Sequence, residues 1–249
     1  MSEIRGFVAE VFPSIQGEGY LMGAMQLFIR FAGCNLRCPT CDTTTAWDRP
    51  HEFSLWPWPG HRPISVKNPI SAQDLYTHLA VSFPLNAFHS ISITGGEPFF
   101  QPEFLVDLVN VCQENKLQVF VETNGTLHRG ILHLLDKVDF WSMDLKISRG
   151  WGMNGRIIKR HLDFLSYTAP EKTYLKIVLN PDDDPELLEK KLNRGDFSAH
   201  RLVLQPFSNT RSDLVNWDGQ SILEWTRLLR PRFKEIRWIP QVHKLLRIP

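Results

Sequence analysis

The chain has 249 residues, 43% of them hydrophobic and 22% charged, with a formal net charge of +1. That length supports one substantial core, in the range where α/β barrels run as a single domain, and the charge balance gives no reason for a direct nucleic-acid partner or a solvated acidic arm. Residues Met1 to Glu10 lack a charged-then-apolar signal pattern, and no apolar run approaches the ~20 residues of a bilayer span, so a soluble, cytoplasmic protein without a membrane partner is expected.

The first patterned stretch is Phe12-Pro13-Ser14-Ile15-Gln16-Gly17-Glu18-Gly19. Gln and Glu side chains between glycines can hydrogen-bond the edge of a purine-like heterocycle. The same residues also suit a plain polar loop leading into a strand. That strand is predicted over Gln26–Gly33 (QLFIRFAG), with Arg30 as a charge inside an apolar run. A charge in such a place favours a paired, functional role over that of a strut.

The strand runs into Cys34-Asn-Leu-Arg-Cys38-Pro-Thr-Cys41. Disulfides between such close neighbours would be strained, and Cys112 is the one further cysteine. The pattern fits a reducing compartment and a metal site. A tight CX3CX2C loop can direct three thiolates at three corners of an iron–sulfur cube and leave the fourth iron open. A closed structural zinc site needs a fourth ligand, and neither His51 nor Cys112 has characteristic spacing for it.

Residues Asp48–Pro69 are rich in Pro and Trp and lack clear periodicity. They read as an ordered excursion or a flap, irregular in pattern and too short to bury a core of its own. We expect it to pack beside the cysteine loop, screening it from oxygen or shaping a surface for an electron donor. A helix follows over Ser71–Phe83 with Ser71 as N-cap. A strand over Ala87–Gly96 then ends in Thr94-Gly95-Gly96-Glu97-Pro98. Glycines at a strand end allow close backbone approach to a ligand, and they also serve ordinary turns.

Beyond it come a helix over Gln101–Lys116 with Pro102 in its first turn and strands over Leu117–Gly125 and Lys137–Lys146. A strand over Lys172–Asn180, a helix over Pro185–Asn193 and a strand over His200–Ser208 follow. A helix over Ser221–Leu229 precedes the last segment, Glu235–Leu246. Alternating strands and helices predict a parallel sheet, and six strands fall short of a closed eight-stranded barrel. The expected architecture is therefore α/β, a partial, open β/α barrel of about six parallel strands in one domain spanning 1–249. Its chemistry would sit at the carboxyl ends of the strands, at Gly33, Gly95–Glu97, Asn124–Gly125, Asp144–Lys146 and Gln205–Ser208.

The cysteine triplet and Gly95-Gly96-Glu97-Pro98 resemble the signatures of the radical S-adenosylmethionine (SAM) superfamily. SIQGEG, LFIRFAGCNLRC, CDTTTAWD, TGGEP, VETNGT, LQPFSN and QVHKLL together resemble the 7-carboxy-7-deazaguanine synthase family, from residue 9 to the final residue except the excursion. The resemblance implies a [4Fe–4S] cluster on Cys34, Cys38 and Cys41, with SAM and Mg²⁺ as further cofactors. It implies a lyase that turns 6-carboxy-5,6,7,8-tetrahydropterin into 7-carboxy-7-deazaguanine and ammonia, a step toward queuosine and related 7-deazapurines.

By the same resemblance, SAM contacts fall to Thr40, Asp42, Gly96, Glu97, Glu122, Ser142, Lys146, Gln205, Pro206, Phe207 and Ser208. The family often carries Ser-Pro-Lys where this chain has the longer Ser142 to Lys146 spacing, and Asp144 with Lys146 also reads as an ion pair. Ile15, Gln16, Gly17, Glu18, Arg30, Thr94 and Pro249 would contact the pterin. Arg30 would take its carboxylate, and the end of the chain would close the active site. Thr43 would ligate Mg²⁺, although Thr43 also suits an N-cap. His243 is a candidate supporting group, or a histidine satisfied in the core. A flavodoxin- or ferredoxin-like electron donor and a homodimer are the partners implied. The rival readings are a glycyl-radical-activating enzyme, which shares CX3CX2C and GGEP but has no use for SIQGEG, and a non-catalytic zinc module.

Overall fold

The computed structural model describes residues 3–39, 41–58, 61–148, 155–207 and 217–248. In chain order the elements are β1 (Arg5–Gly6), β2 (Val8–Ile15), β3 (Met25–Phe31), β4 (Glu52–Leu55), β5 (Ile64–Lys67), β6 (Ile70–Ser71), α1 (Ala72–Ser82), β7 (Ser90–Gly95), α2 (Pro102–Glu114), β8 (Val119–Thr123) and β9 (Phe140–Asp144). They continue with α3 (Gly155–Leu165), β10 (Thr173–Leu179), α4 (Pro185–Leu192), β11 (Arg201–Pro206), α5 (Gly219–Leu229), β12 (Glu235–Trp238) and α6 (Val242–Leu246). Two compact units contain them. One comprises Met1–Ile15, Ala24–Thr123 and Leu127–Trp141, the other Gln16–Gly23, Asn124–Thr126 and Ser142–Pro249.

In the first unit β3, β7 and β8 are parallel neighbours, the arrangement that strand–helix–strand crossovers through α1 and α2 impose. Leu27, Ile29 and Phe31 alternate along β3 and are fully buried, and Phe31 packs on Phe104 of α2 at 5.1 Å between ring centroids. The opposite face of the strand carries Gln26, Phe28 and Arg30, because side chains alternate with a period of two. Ser71 caps α1 by accepting the Asp74 N–H at 3.1 Å.

The sequence did not announce β2, which runs antiparallel to β3. Pro13 is tolerated inside it because β4 pairs only with Glu10 and Val11. Beyond them that side of β2 asks for no ladder donor. The excursion also carries strands, which its lack of clear periodicity did not indicate. It folds into the antiparallel hairpin β4–β5, with Phe53, Leu55 and Val66 buried. Asn68 ties its end to β2, accepting the Val8 N–H at 3.0 Å and donating to the Val8 carbonyl at 2.8 Å. Short strands interrupted by prolines leave too few residues for a periodic signal.

In the second unit β10, β11 and β12 are parallel neighbours, and β10 lies beside β9. The expected strands over Lys172–Asn180 and His200–Ser208 are thus present, and β12 extends their parallel order. Leu175, Ile177, Leu202 and Leu204 are fully buried. Asp184 and Asp218 cap α4 and α5 through their side chains. Among the described residues no helix is long and apolar enough to cross a membrane.

Candidate active site

In the first unit the cysteine loop leaves β3 through Gly33, whose φ of +91° is natural only for glycine. Two hydrogen bonds sew this loop to the turn after β7: the Glu97 N–H donates to the Gly33 carbonyl at 2.9 Å, and the Gly96 N–H to the Phe31 carbonyl at 3.0 Å. A Cβ on Gly96 would lie 2.1 Å from the Gly33 oxygen. The second glycine of GGEP is therefore required by the close approach of the two loops.

Cys34, Cys38 and Cys41 are all free thiols. The Leu36 N–H points at the Cys34 sulfur at 3.4 Å. Arg37 braces the loop by donating to the carbonyls of Cys34 at 3.0 Å and Leu36 at 2.8 Å, with its guanidinium 4.9 Å from the centre of the Trp47 ring. Burial pushes the Cys34 thiol up; the Leu36 N–H opposes this, and nearby Glu97 and Cys41 add to it. Iron binding displaces such a proton outright. Cys112 is a different case. It is 1% exposed on α2, and burial raises its thiol to about 12, which leaves it a core residue rather than a fourth ligand. Three free thiols on a braced loop, one receiving an amide N–H at its sulfur, fit a cluster with an open iron.

Glu97 has a role that the sequence did not reveal. Its carboxylate is fully buried, accepts the Phe99 N–H at 3.0 Å, and accepts the Thr123 hydroxyl at 2.7 Å. It therefore joins the GGEP turn to the end of β8, beside half-buried Glu122.

Across β2, β3 and β7, Glu10, Arg30 and Thr94 are register partners, so their side chains leave the same face of the sheet. Arg30 Nε donates to Glu10 Oε1 at 2.8 Å, and the guanidinium lies 5.5 Å from the centre of the Phe12 ring. Arg30 Nη1 reaches Thr43 Oγ1 at 3.4 Å, and the Thr43 hydroxyl donates to Asp42 Oδ1 at 3.1 Å. The structure thus brings Arg30, Asp42 and Thr43 together. Ile15 ends β2 and is 39% exposed.

In the second unit Gln16 folds its side chain back so that Oε1 accepts the Glu18 N–H at 3.0 Å. The chain end docks on this turn. The Val242 N–H donates to the Gly17 carbonyl at 2.9 Å, and Gln241 Nε2 donates to Glu18 Oε1 at 2.7 Å. Lys244 in turn donates to Gln241 Oε1 at 2.8 Å. A Cβ on Gly17 would meet His243 Nδ1 at 2.2 Å, so glycine there makes room for α6.

The other oxygen of Glu18 takes a short ion pair from Lys176 on β10. Lys176 is also 3.4 Å from Asp144 Oδ1, and Lys146 donates to Asp144 Oδ2 at 2.7 Å. Burial alone would raise the Asp144 carboxyl, but the two ammonium groups hold it below the usual carboxylate range. Ser142, two residues before Asp144 on β9, is buried.

At the end of β11, Gln205 is 1% exposed and its Oε1 has no hydrogen-bond partner among the described residues. A buried acceptor left open is costly, and it fits a bound donor such as the cofactor. Pro206 is buried beside it, and the Phe207 N–H donates to the Leu179 carbonyl at 2.7 Å. Thr40, Ser208 and Pro249 lie outside the described residues.

Glu10, Lys176 and Gln241 were missed in the sequence. Lys176 stands in the apolar run TYLKIVL, so the argument applied to Arg30 could have found it. Glu10 and Gln241 carried no comparable signal.

Three thiols on a loop after the first parallel strand, with a glycine turn sewn to it, define a radical SAM enzyme. The model of the radical SAM superfamily matches residues 28–149. The chain is 33% identical to 7-carboxy-7-deazaguanine synthase of Geobacter sulfurreducens over 99% of both chains. It is 31% identical to that of Methanothermobacter thermautotrophicus over 98% of both. It belongs to the 7-carboxy-7-deazaguanine synthase family. The crystal structure of QueE from Escherichia coli shares the fold, with a TM-score of 0.61 at 21% identity over 96% of this chain and 95% of that one.

Proposed function

We propose that the chain converts 6-carboxy-5,6,7,8-tetrahydropterin to 7-carboxy-7-deazaguanine with release of ammonia, in the biosynthesis of 7-deazapurines such as queuosine. Membership of the family supports this reading, and the observation that carries it is the oriented Arg30. Glu10 occupies its Nε and Thr43 lies 3.4 Å from Nη1, which leaves Nη2 and the second Nη1 proton to grip a carboxylate.

The [4Fe–4S] cluster, held by Cys34, Cys38 and Cys41, and SAM supply hydrogen abstraction when bound. The chain's own residues bind and orient. Arg30 holds the pterin carboxylate, with Thr94 beside it in the same row. Thr43 offers its hydroxyl to Mg²⁺, an ion that takes few protein ligands and suits a substrate carboxylate. Gln16 and Glu18 accept from the amino-pyrimidinone edge of the pterin, with the chain end closed over their turn. The backbone of Gly96 and the side chains of Glu122, Ser142, Lys146 and Gln205 serve SAM. A flavodoxin- or ferredoxin-like protein supplies the electron, and the assembly is a homodimer.

The test is anaerobic reconstitution with iron and sulfide, then incubation with the tetrahydropterin, SAM, Mg²⁺ and a reductant. Ammonia and 7-carboxy-7-deazaguanine should appear together. A brown, SAM-cleaving enzyme that leaves the pterin untouched would refute the substrate assignment. A glycyl-radical-activating role would then return.

A further inference from the structure

We infer that Lys176 is a positioning residue that fixes Glu18 for recognition of the pterin edge; the inference rests on the substrate reading above. The Lys176 side chain is 8% exposed. A buried ammonium persists only where carboxylates neutralise it, and Lys176 has two. One is Glu18, through the short ion pair, and the other is Asp144 at 3.4 Å. They sit on different elements, the Gln16–Glu18 turn and the end of β9.

Glu18 has one carboxylate oxygen on Lys176 and the other on Gln241. A donor on each oxygen fixes the orientation of the carboxylate. An ionised carboxylate accepts about four hydrogen bonds, so these two contacts do not by themselves fill it. Lys176 holds Glu18 in place before substrate arrives, so the ordering cost of binding is already met. Asp144 has Lys146 as a second cationic partner, at 2.7 Å.

Without Lys176, Glu18 would lose the ammonium paired with its carboxylate, while Asp144 would keep Lys146 at 2.7 Å. The loss should fall on pterin affinity more than on the chemical step, because Lys176 reaches the pterin only through Glu18.

The experiment is a double-mutant cycle on the reconstituted, SAM-loaded enzyme, with K176M, E18Q and the double variant, plus K176R. Binding of 6-carboxypterin, the oxidised and fluorescent analogue, is followed by titration, and KM and kcat are measured with the tetrahydropterin. K176M should weaken analogue binding and raise KM about tenfold or more, with kcat within about twofold, as for truncation of one partner of a buried charge pair. In the E18Q background the same substitution should cost about twofold or less, as expected for coupled neighbours. K176R should recover most of the affinity.

Should K176M fail to fold, K176Q enters the same cycle. An equal loss in both backgrounds, or none in either, overturns the positioning role while wild-type turnover stands. A wild-type enzyme that neither binds the analogue nor consumes the pterin overturns the substrate reading, and this inference with it.

Discussion

Arg30 on β3 and Glu10 on β2 face each other across an antiparallel pair, joined Nε to Oε1 at 2.8 Å. The contact spends the one guanidinium nitrogen that does not belong to the terminal fork. Replacing Arg30 by Ala should weaken productive pterin binding about a hundredfold, the order expected for losing a bidentate charged contact. Replacing Glu10 by Gln should cost less, about threefold to tenfold in KM, because the pair is partly exposed and screened. Steady-state kinetics check both, and an unchanged KM in E10Q would show that Phe12 alone orients the guanidinium.

The proposed ligands Cys34, Cys38 and Cys41 differ from Cys112, which is buried on α2. C34A, C38A and C41A should each abolish the visible absorption that reconstitution with iron and sulfide gives the wild type. C112A should retain it and lose only stability, about 1–2 kcal/mol for a small buried side chain. A colourless C112A protein would contradict the assignment.

Gln205 should matter to the cofactor. Gln205→Leu removes the buried acceptor that lacks a partner among the described residues, so SAM affinity should fall about tenfold, the value of one well-made hydrogen bond in a buried site. Equilibrium dialysis measures it. Undiminished SAM binding would make Gln205 a packing residue.

Gly17 should control the chain end. In G17A the new methyl group collides with His243, and α6 must leave the Gln16–Glu18 turn. Trypsin cleavage after Lys244 and Arg247 should then accelerate, with the rest of the chain as resistant as in the wild type. Equal cleavage rates would show that the turn and α6 yield without separating.

Acid should destabilise the protein through His161. Its Nε2–H donates to the Asn124 carbonyl at 3.1 Å, and burial depresses its pKa from 6.5 to about 4. The folded state keeps this ring neutral while the unfolded chain protonates it. Its contribution is therefore fully present above pH 6.5 and is lost progressively as pH falls toward 4. Between pH 7 and pH 5 the loss amounts to about 2 kcal/mol. Urea denaturation at the two values measures it, and His161→Gln should flatten the difference.

The sequence by itself determined the class of chemistry and the class of fold. Three cysteines in eight residues cannot pair with one another without strain, and strand–helix alternation admits few topologies. Both are local properties, written in spacing and period. The residues that aim the site were another matter. Glu10 meets Arg30 from 20 positions away, Lys176 meets Glu18 across 158, and Gln241 meets Glu18 across 223. Each of those side chains is an ordinary polar residue in sequence and acquires its role only from the partner that the fold supplies. The same holds for Gly17 and Gly96, whose missing Cβ atoms matter because distant backbone and side chain pass close by. Only the tertiary structure could decide these contacts, since register and loop closure set them and no short window of sequence contains both partners.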